Sequence, residues 1–177
     1  DLIISTGMSS MEEVQTALSV IAFGLVGTGE PSMAAFRQAN ASDEGQAALR
    51  SKVTVLHCTT QYPAPPESVN LQAMVSMGHT FGLKMGYSDH TPGTAVACAA
   101  VALGARVIEK HITKDKRLAG PDHAASLNPE EFKTLVEAVR TVEQSLGDGV
   151  KAPHKDEIEN IPVARKSLVA AKGIMKG

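Results

Sequence analysis

Residues 83–111, LKMGYSDHTPGTAVACAAVALGARVIEKH, contain the pattern that decides the fold. By composition, residues 83–88 are a strand, and the Ala- and Val-rich segment 93–103 is a helix bounded by glycines. Residues 106–111 are a second strand, richer in β-branched side chains. A strand, a helix and a strand in this order are typical of a right-handed β-α-β unit, whose strands run parallel.

The same pattern extends in both directions along the chain. Ser9 or Ser10 can cap a helix, because a Glu follows each of them by three residues. Further strands are predicted at 2–4 and 53–58, further helices after Ser10, at 70–81 and from Pro129 to about Leu146, and one or two short helices within 27–50. Strand and helix therefore alternate four times. Four parallel strands are half of an eight-stranded barrel or part of a doubly wound sheet, and the phosphate-loop and dinucleotide patterns that favour the second are absent.

The two ends of the sequence suggest a partial chain. The first predicted strand begins at Leu2 with no segment before it, which we expect of a fragment. Residues 1–147 are predicted to form one α/β unit. Residues 148–162 contain two prolines and several charges and read as a linker, and residues 163–177 regain an apolar rhythm.

Composition excludes several classes of protein. There are 17 Lys and Arg against 19 Asp and Glu, so a net charge of −2 does not favour a nucleic-acid or anionic-membrane partner. A loose basic cluster (Lys110, Lys114, Lys116 and Arg117) is either a solvated loop or a surface for a small anion. Two cysteines are too few for a disulfide scaffold. With no signal-peptide pattern and no apolar run of about 20 residues, we expect a cytoplasmic protein.

Polar residues follow every predicted strand. The clusters are Ser5-Thr6-Gly7, His57-Cys58-Thr59-Thr60, Ser88-Asp89-His90-Thr91 and Glu109-Lys110-His111. In parallel α/β folds, the carboxyl ends of the strands meet at the edge where ligands bind. The four clusters are therefore expected to surround one pocket.

His90 and His111 are the candidate metal ligands in this pocket. They follow neighbouring strands, and neutral imidazole is a good ligand for ions such as Mn²⁺, Zn²⁺ and Fe²⁺. Asp89 or Glu109 can complete the site, and strand alternation places Glu109 on the face of His111, with Lys110 pointing outward between helices. His57 is either a third ligand or a histidine bonded to neighbouring loops.

The hydroxyl groups of the same clusters favour an anion. Hydroxyls and helix N-termini near Ser9 and Gly93 are suited to hold phosphate or carboxylate. The alternative is that they only cap helices.

Several linked motifs resemble the sialic acid (N-acetylneuraminate) synthases. They are Ile4–Met8 (ISTGM), Leu56–Pro63 (LHCTTQYP), Gly86–Thr91 (GYSDHT), Ala102–Ala105 (ALGA), Val107–His111 (VIEKH), Gly120–His123 (GPDH) with Ala125–Leu127 (ASL), and Ala164–Ala170 (ARKSLVA). The matches occur in the family's order and cover essentially the whole chain. This resemblance implies an α/β fold, specifically the second half, four β-α units, of a TIM-type (β/α)8 barrel. It also implies that residues 163–177 begin an antifreeze-like domain.

The resemblance also implies a reaction and a set of site residues. Enzymes of this family condense phosphoenolpyruvate with N-acetylmannosamine to give N-acetylneuraminate and phosphate, with a divalent metal, commonly Mn²⁺, and as homodimers. Carried over by position, the metal ligands are His90 and His111, the phosphoenolpyruvate-binding residues are Ser5, Thr60 and Ser88, and the sugar-binding residues are Tyr62 and Asp122. Thr60 stands at a position that can hold Asn in the family. Glu109 is the candidate catalytic carboxylate, for proton transfer.

Two alternatives remain open at this point. A sister synthase that makes legionaminic acid, pseudaminic acid or a 9-phosphate product would carry the same motifs. A non-catalytic fragment that binds only metal or a partner chain is the alternative of another class. Because the resemblance assigns a catalytic Glu and phosphate-binding Lys residues to the missing first half, we expect the isolated 177 residues to be inactive.

Overall fold

The computed structural model describes residues 1–120 and 122–177. Its helices and strands follow the predicted order, with two short 3-10 turns at Pro66–Ser68 and Lys155–Asn160. The strands are β1 (Leu2–Ser5), β2 (Val53–Cys58), β3 (Lys84–Asp89) and β4 (Ile108–Lys110). The helices are α1 (Met11–Val26), α2 (Met33–Ala41), α3 (Asp43–Lys52), α4 (Leu71–Phe81), α5 (Ala95–Ala102), α6 (Pro129–Ser145) and α7 (Ile161–Ala164).

The four strands form one parallel sheet in the order β1-β2-β3-β4. Each strand lies beside its neighbour in the chain, so the predicted α/β class with parallel strands is confirmed. β4 is shorter than the predicted strand 106–111. Its hydrogen bonding to β3 nevertheless begins earlier, because Arg106 N donates to Met85 O at 2.7 Å and Tyr87 N donates to Val107 O at 2.9 Å.

The helix boundaries follow the capping signals in the sequence. Ser10 and Glu13 form a capping box at the start of α1, and Asn128 and Glu131 form another at α6. The Glu13 carboxylate accepts hydrogen bonds from the Ser10 backbone N–H and from the Ser10 hydroxyl. These bonds, the backbone one more than the hydroxyl one, lower the pKa of Glu13. The one or two short helices predicted within 27–50 are α2 and α3, whose N-caps are Ser32 and Ser42, and α3 continues to Lys52.

The main core lies between one face of the sheet and the helices. Side chains of β2 and β3 that share this face, among them Val53, Val55, Met85 and Tyr87, pack with Leu18 of α1 and Met74 of α4. We call this face of the sheet the helix-facing side. The other face, which we call the pocket face, carries Leu56, Gly86 and Ser88, and its Ile3 side chain is 58% exposed.

The chain divides into two compact units, Asp1–Leu146 and Gly147–Gly177. The second unit contains the 3-10 turn and α7, and no strand is assigned to it. Within the described ranges, no helix combines the length and the apolar character needed to cross a membrane.

Gly86 is required by the close approach of two strands. A Cβ built at this position would lie 2.6 Å from the carbonyl oxygen of Val107 and would also overlap the Leu56 side chain. Backbone of a neighbouring strand cannot move aside as a flexible side chain can. We therefore predict that Gly86→Ala lowers the free energy of unfolding by about 1–3 kcal/mol, measured by chemical denaturation.

Gly24→Ala is the matched control. Gly24 lies within α1, and a Cβ there meets no atom within 4 Å, so this change should raise stability by about 0.5–1 kcal/mol. Equal stability of Gly86→Ala and the wild type would contradict the close approach described here.

Candidate active site

The carboxyl ends of the strands bring three pocket-face side chains into one row. Cys58 of β2 pairs in register with Ser88 of β3, and Ser88 pairs with Glu109 of β4. Because side chains alternate along a strand, the residue after each helix-facing position points into the pocket. The row forms the floor of the candidate site.

His90 follows β3 directly and is 9% exposed. Its Nδ1 lies 2.7 Å from the carbonyl oxygen of Thr59. A carbonyl oxygen can only accept a hydrogen bond, so Nδ1 carries the proton. In the neutral ring, Nε2 then has a free lone pair on the side of the pocket. A histidine bonded to a backbone carbonyl through its other nitrogen is the usual arrangement of a metal ligand.

Ser88 and Glu109 interact on the pocket floor. Ser88 Oγ donates to Glu109 Oε1 at 2.6 Å and lies 3.3 Å from His90 Nε2. A hydroxyl has one proton, and the shorter contact to the carboxylate takes it. The lone pair of His90 Nε2 is therefore left available to a cation.

His111 lies beside His90, and Tyr62 packs against both rings. The two imidazole centroids are 5.4 Å apart with an interplanar angle of 80°. The Tyr62 ring centroid is 4.2 Å from that of His90 and 5.5 Å from that of His111. Nitrogens that share a cation at about 2.1 Å each lie roughly 3–3.4 Å apart, which this ring separation permits.

The long loop after β4 brings Asp122 close to His111. Leu127 N donates to His111 O at 3.0 Å and Thr113 N donates to Leu127 O at 2.9 Å, which closes the base of the loop. Asp122 Oδ2 then lies 4.0 Å from His111 Nδ1, with the Asp122 side chain 51% exposed. Pro121, part of the predicted GPDH motif, lies outside the described residues.

Ser5 and Thr60 lie at the same edge of the sheet. Ser5 ends β1 on the pocket face, in register with Leu56. Gly7 lets the loop after β1 approach Thr60, since a Cβ on Gly7 would overlap Thr60 Oγ1. In the described part of the chain, neither hydroxyl hydrogen-bonds to the histidine pair.

Two residues considered as ligands from the sequence lie on the helix-facing side instead. His57 Nε2 is 2.6 Å from the carbonyl of Val69, so the loop-bonded reading of His57 holds and the third-ligand reading does not. Asp89, considered as a ligand, forms an ion pair with Lys110 at 2.8 Å and cannot complete the pocket. Strand alternation is the reason in both cases, and it also places Lys110 on the outward face, as expected.

Three of the four side chains in the loose basic cluster already pair with carboxylates. Lys110 is buried, Lys116 pairs with Glu131 at 2.6 Å, and Arg117 pairs with Asp115 at 2.8 Å. The bonds from Arg117 lower the pKa of the Asp115 carboxyl. Local carboxylates already neutralise most of the cluster.

Two contributors lie in a predicted cluster but were given no role from the sequence. The Thr59 carbonyl orients His90, and a main-chain group carries no signal in residue type. Cys58 lies beside Ser88 on the pocket floor, where burial raises the pKa of its thiol and the nearby Glu109 charge adds to the effect. The thiol is therefore protonated at neutral pH.

The donor set fits a divalent cation in part. The free lone pair of His90 Nε2 and the adjacent His111 ring provide two nitrogen ligands. Among residues 1–120 and 122–177, no group of three or more His, Cys, Asp or Glu side chains is placed to hold a metal ion. A cation bound here would complete its shell with water or with oxygen atoms of a substrate.

The NeuB family profile matches residues 1–151. The chain belongs to the NeuB family. Over 99% of its length it is 46% identical to the N,N'-diacetyllegionaminic acid synthase of Campylobacter jejuni, of which the match covers 46%. The human N-acetylneuraminate-9-phosphate synthase is 36% identical over 99% of the chain and 42% of that protein. The chain thus spans about half the length of these NeuB relatives.

A solved structure shares this fold. It is the N-acetylneuraminic acid synthetase of Leptospira borgpetersenii in complex with citrate, with a TM-score of 0.63 and 29% identity. The superposition covers 91% of this chain and 56% of that one. The resemblance to sialic acid synthases expected from the motifs is therefore confirmed.

The hydrogen bonds of His90 and His57 predict opposite tautomers. His90 donates through Nδ1 to Thr59 O, and His57 donates through Nε2 to Val69 O. Long-range ¹H–¹⁵N NMR of the metal-free protein at pH 8 should show the proton on Nδ1 for His90 and on Nε2 for His57. The same tautomer in both rings would contradict the site geometry.

Proposed function

We propose that residues 1–146 form the second half of a TIM-type (β/α)8 barrel whose interior is the pocket face. The strand order β1-β2-β3-β4 and the packing of helices against one face support this proposal. In such a barrel the first and last strands pair with further strands, which would cover exposed side chains such as Ile3. The candidate site lies at the carboxyl ends of the strands, where barrel enzymes hold their active sites.

We propose further that the complete protein condenses phosphoenolpyruvate with an amino sugar to give a nonulosonic acid and phosphate. Membership of the NeuB family and the names of the relatives, which are synthases of such acids, support the reaction class. The observation that carries the proposal is the free lone pair of His90 Nε2 beside His111, with the Ser88–Glu109 pair next to it.

His90 and His111 are proposed to hold a divalent cation, Mn²⁺ by resemblance. When bound, such a cation supplies Lewis acidity that makes the sugar aldehyde carbon electrophilic. The hydrogen bond to Thr59 O fixes the His90 ring in advance, and Tyr62 packs against His90 in a tilted arrangement and against His111 edge-on. Tyr62 and Asp122 are proposed to contact the amino sugar, which is supported by their exposed side chains beside this pair.

Ser5, Thr60 and Ser88 are proposed to hold phosphoenolpyruvate. All three hydroxyls lie at the carboxyl edge of the sheet, and Ser88 is at its centre. Ser5 and Thr60 are neutral donors that suit an anion, whereas Ser88 would donate to it only by turning its proton away from Glu109. C3 of phosphoenolpyruvate forms the new bond to the aldehyde carbon, water adds at C2, and the resulting tetrahedral carbon releases phosphate by breaking its C–O bond.

Glu109 is proposed to transfer protons in this sequence. Its Oε1 accepts from Ser88, which aims the carboxylate across the pocket floor. The water that adds at C2 must lose a proton, and the new sugar hydroxyl must gain one. A carboxylate held beside both reacting groups can serve each need.

N-acetylmannosamine, giving N-acetylneuraminate, is the first candidate sugar. The 46% identity to a N,N'-diacetyllegionaminic acid synthase favours the corresponding diacetamido sugar as the second. Phosphate release by the complete protein with each sugar separates the two. We also propose that the protein works in the cytoplasm as a homodimer and that residues 1–177 alone do not turn over.

The metal proposal predicts a specific loss. His90→Ala and His111→Ala should each weaken Mn²⁺ binding by at least tenfold in the complete protein, measured by electron paramagnetic resonance of free Mn²⁺, and should abolish turnover. His79→Ala is the control, because His79 is exposed in the last turn of α4. Unchanged Mn²⁺ affinity in both variants would exclude this pair as the metal site.

The role of Glu109 is tested by Glu109→Gln. Glutamine keeps an oxygen that can accept from Ser88 but cannot take a proton, so kcat should fall by about 10²–10⁴ with little change in KM for phosphoenolpyruvate. Glu143→Gln on α6 is the matched control for the charge change, since Glu143 pairs with Arg140 on the surface. Turnover at the wild-type rate would remove Glu109 from proton transfer.

A further inference from the structure

A buried ion pair lies behind the two histidines. Asp89 and Lys110 face the helices, their side chains are 0% and 1% exposed, and Lys110 Nζ lies 2.8 Å from Asp89 Oδ2. They are also partners in register, and they form the last rung of pairing between β3 and β4. Elsewhere in the described chain, each Lys or Arg ion pair has its basic side chain at least 37% exposed.

Each member of the pair directly precedes one of the histidines. Asp89 is followed by His90, and Lys110 is followed by His111. Successive side chains of an extended chain point to opposite faces, so joining Asp89 to Lys110 on one face directs the next two side chains to the other. β4 is only three residues long, so few ladder bonds hold its end, which is fixed on one side by this contact and on the other by the bond from Leu127 N to His111 O.

The pair also fixes the residue after His90. Thr91 N and Thr91 Oγ1 both donate to Asp89 Oδ1, at 2.9 and 2.7 Å, and Lys110 Nζ donates to the carbonyl of Thr91. His90 is therefore held on both sides by one hydrogen-bonded network. Its own ring then meets Thr59 O in a single orientation.

Among the described residues, the hydrogen bonds and ion pair of this network include no third charged side chain. The neighbouring Tyr87 phenol has a raised pKa, first because it is buried and then because of the Asp89 charge, so it stays neutral. A buried, fully bonded ion pair is not in general more stable than a well-packed apolar pair of similar size. Stability alone does not account for two charges at this position.

We propose that the Asp89–Lys110 ion pair is a positioning device that sets the relative orientation of the His90 and His111 rings before any cation binds. The two residues are positioning residues, since neither reaches the pocket. The proposal rests on the proposed function in that a divalent cation is what the two rings are set to hold. It goes beyond that function by assigning the geometry of the pair to residues on the opposite face of the sheet.

The test compares the double variant Asp89→Asn/Lys110→Met with the wild type in the complete protein. Asparagine can still accept from Thr91, and methionine approximates the volume of lysine, so the double variant leaves no buried charge alone. It removes the charge pair together with the hydrogen bond from Lys110 Nζ to the Thr91 carbonyl. Single variants are less informative because each leaves one buried charge without its partner. Lys133→Met/Glu137→Gln is the matched control, an exposed pair of the same charges on α6.

Two measurements are made on folded protein. The first is Mn²⁺ affinity by electron paramagnetic resonance, which should fall about 10–100-fold in the double variant and stay unchanged in the control. The second is the His90 tautomer by ¹H–¹⁵N NMR without metal, which should change from Nδ1–H to a mixture. This second measurement does not depend on the metal, so it tests the positioning role even where His90→Ala shows that the metal proposal fails.

Two results would overturn the proposal. One is a folded double variant that keeps the wild-type tautomer and, where the wild type binds Mn²⁺ through His90, the wild-type affinity. The other is a double variant that does not fold, because the pair would then be a general requirement of the sheet. A changed tautomer in a folded double variant, with the control unaffected, supports the positioning role.

Discussion

The hydrogen bond between His90 Nδ1 and the Thr59 carbonyl is the constraint on which the site depends. Because the carbonyl cannot donate, it determines which nitrogen carries the proton and leaves the other one available in the pocket. The remaining features follow from that choice. Ser88 donates a hydrogen bond to Glu109, and Tyr62 and His111 pack against a His90 ring whose orientation is fixed.

The two faces of the sheet have different roles. On the pocket face, small and polar side chains from neighbouring strands leave room for ligands. On the helix-facing side, apolar residues form the core, and the Asp89–Lys110 pair lies at the carboxyl ends of β3 and β4. Strand alternation joins the two, so a contact on one face sets directions on the other. This explains why charged residues next to the site are buried away from it.

Much of the fold could be predicted from the sequence because local signals and packing agree. The Ser10 capping box, the predicted end of a helix at residue 81 and the predicted start at Pro129 are boundaries that the structure reproduces. The meeting of His90 with His111 follows from strand ends alone. The orientation of His90 could not be predicted, since it depends on a main-chain carbonyl 31 positions away. The role of Asp89 could not be predicted from its residue type alone, because that role depends on which face of the sheet its side chain occupies.

Two imidazoles from adjoining strand ends are proposed to converge on one cation. The direct test is a crystal structure of the complete protein with Mn²⁺, measured at the manganese absorption edge. We expect one anomalous peak within roughly 2–2.3 Å of His90 Nε2 and of a ring nitrogen of His111. A well-occupied peak elsewhere, with His90 Nε2 bonded to protein instead, would contradict it.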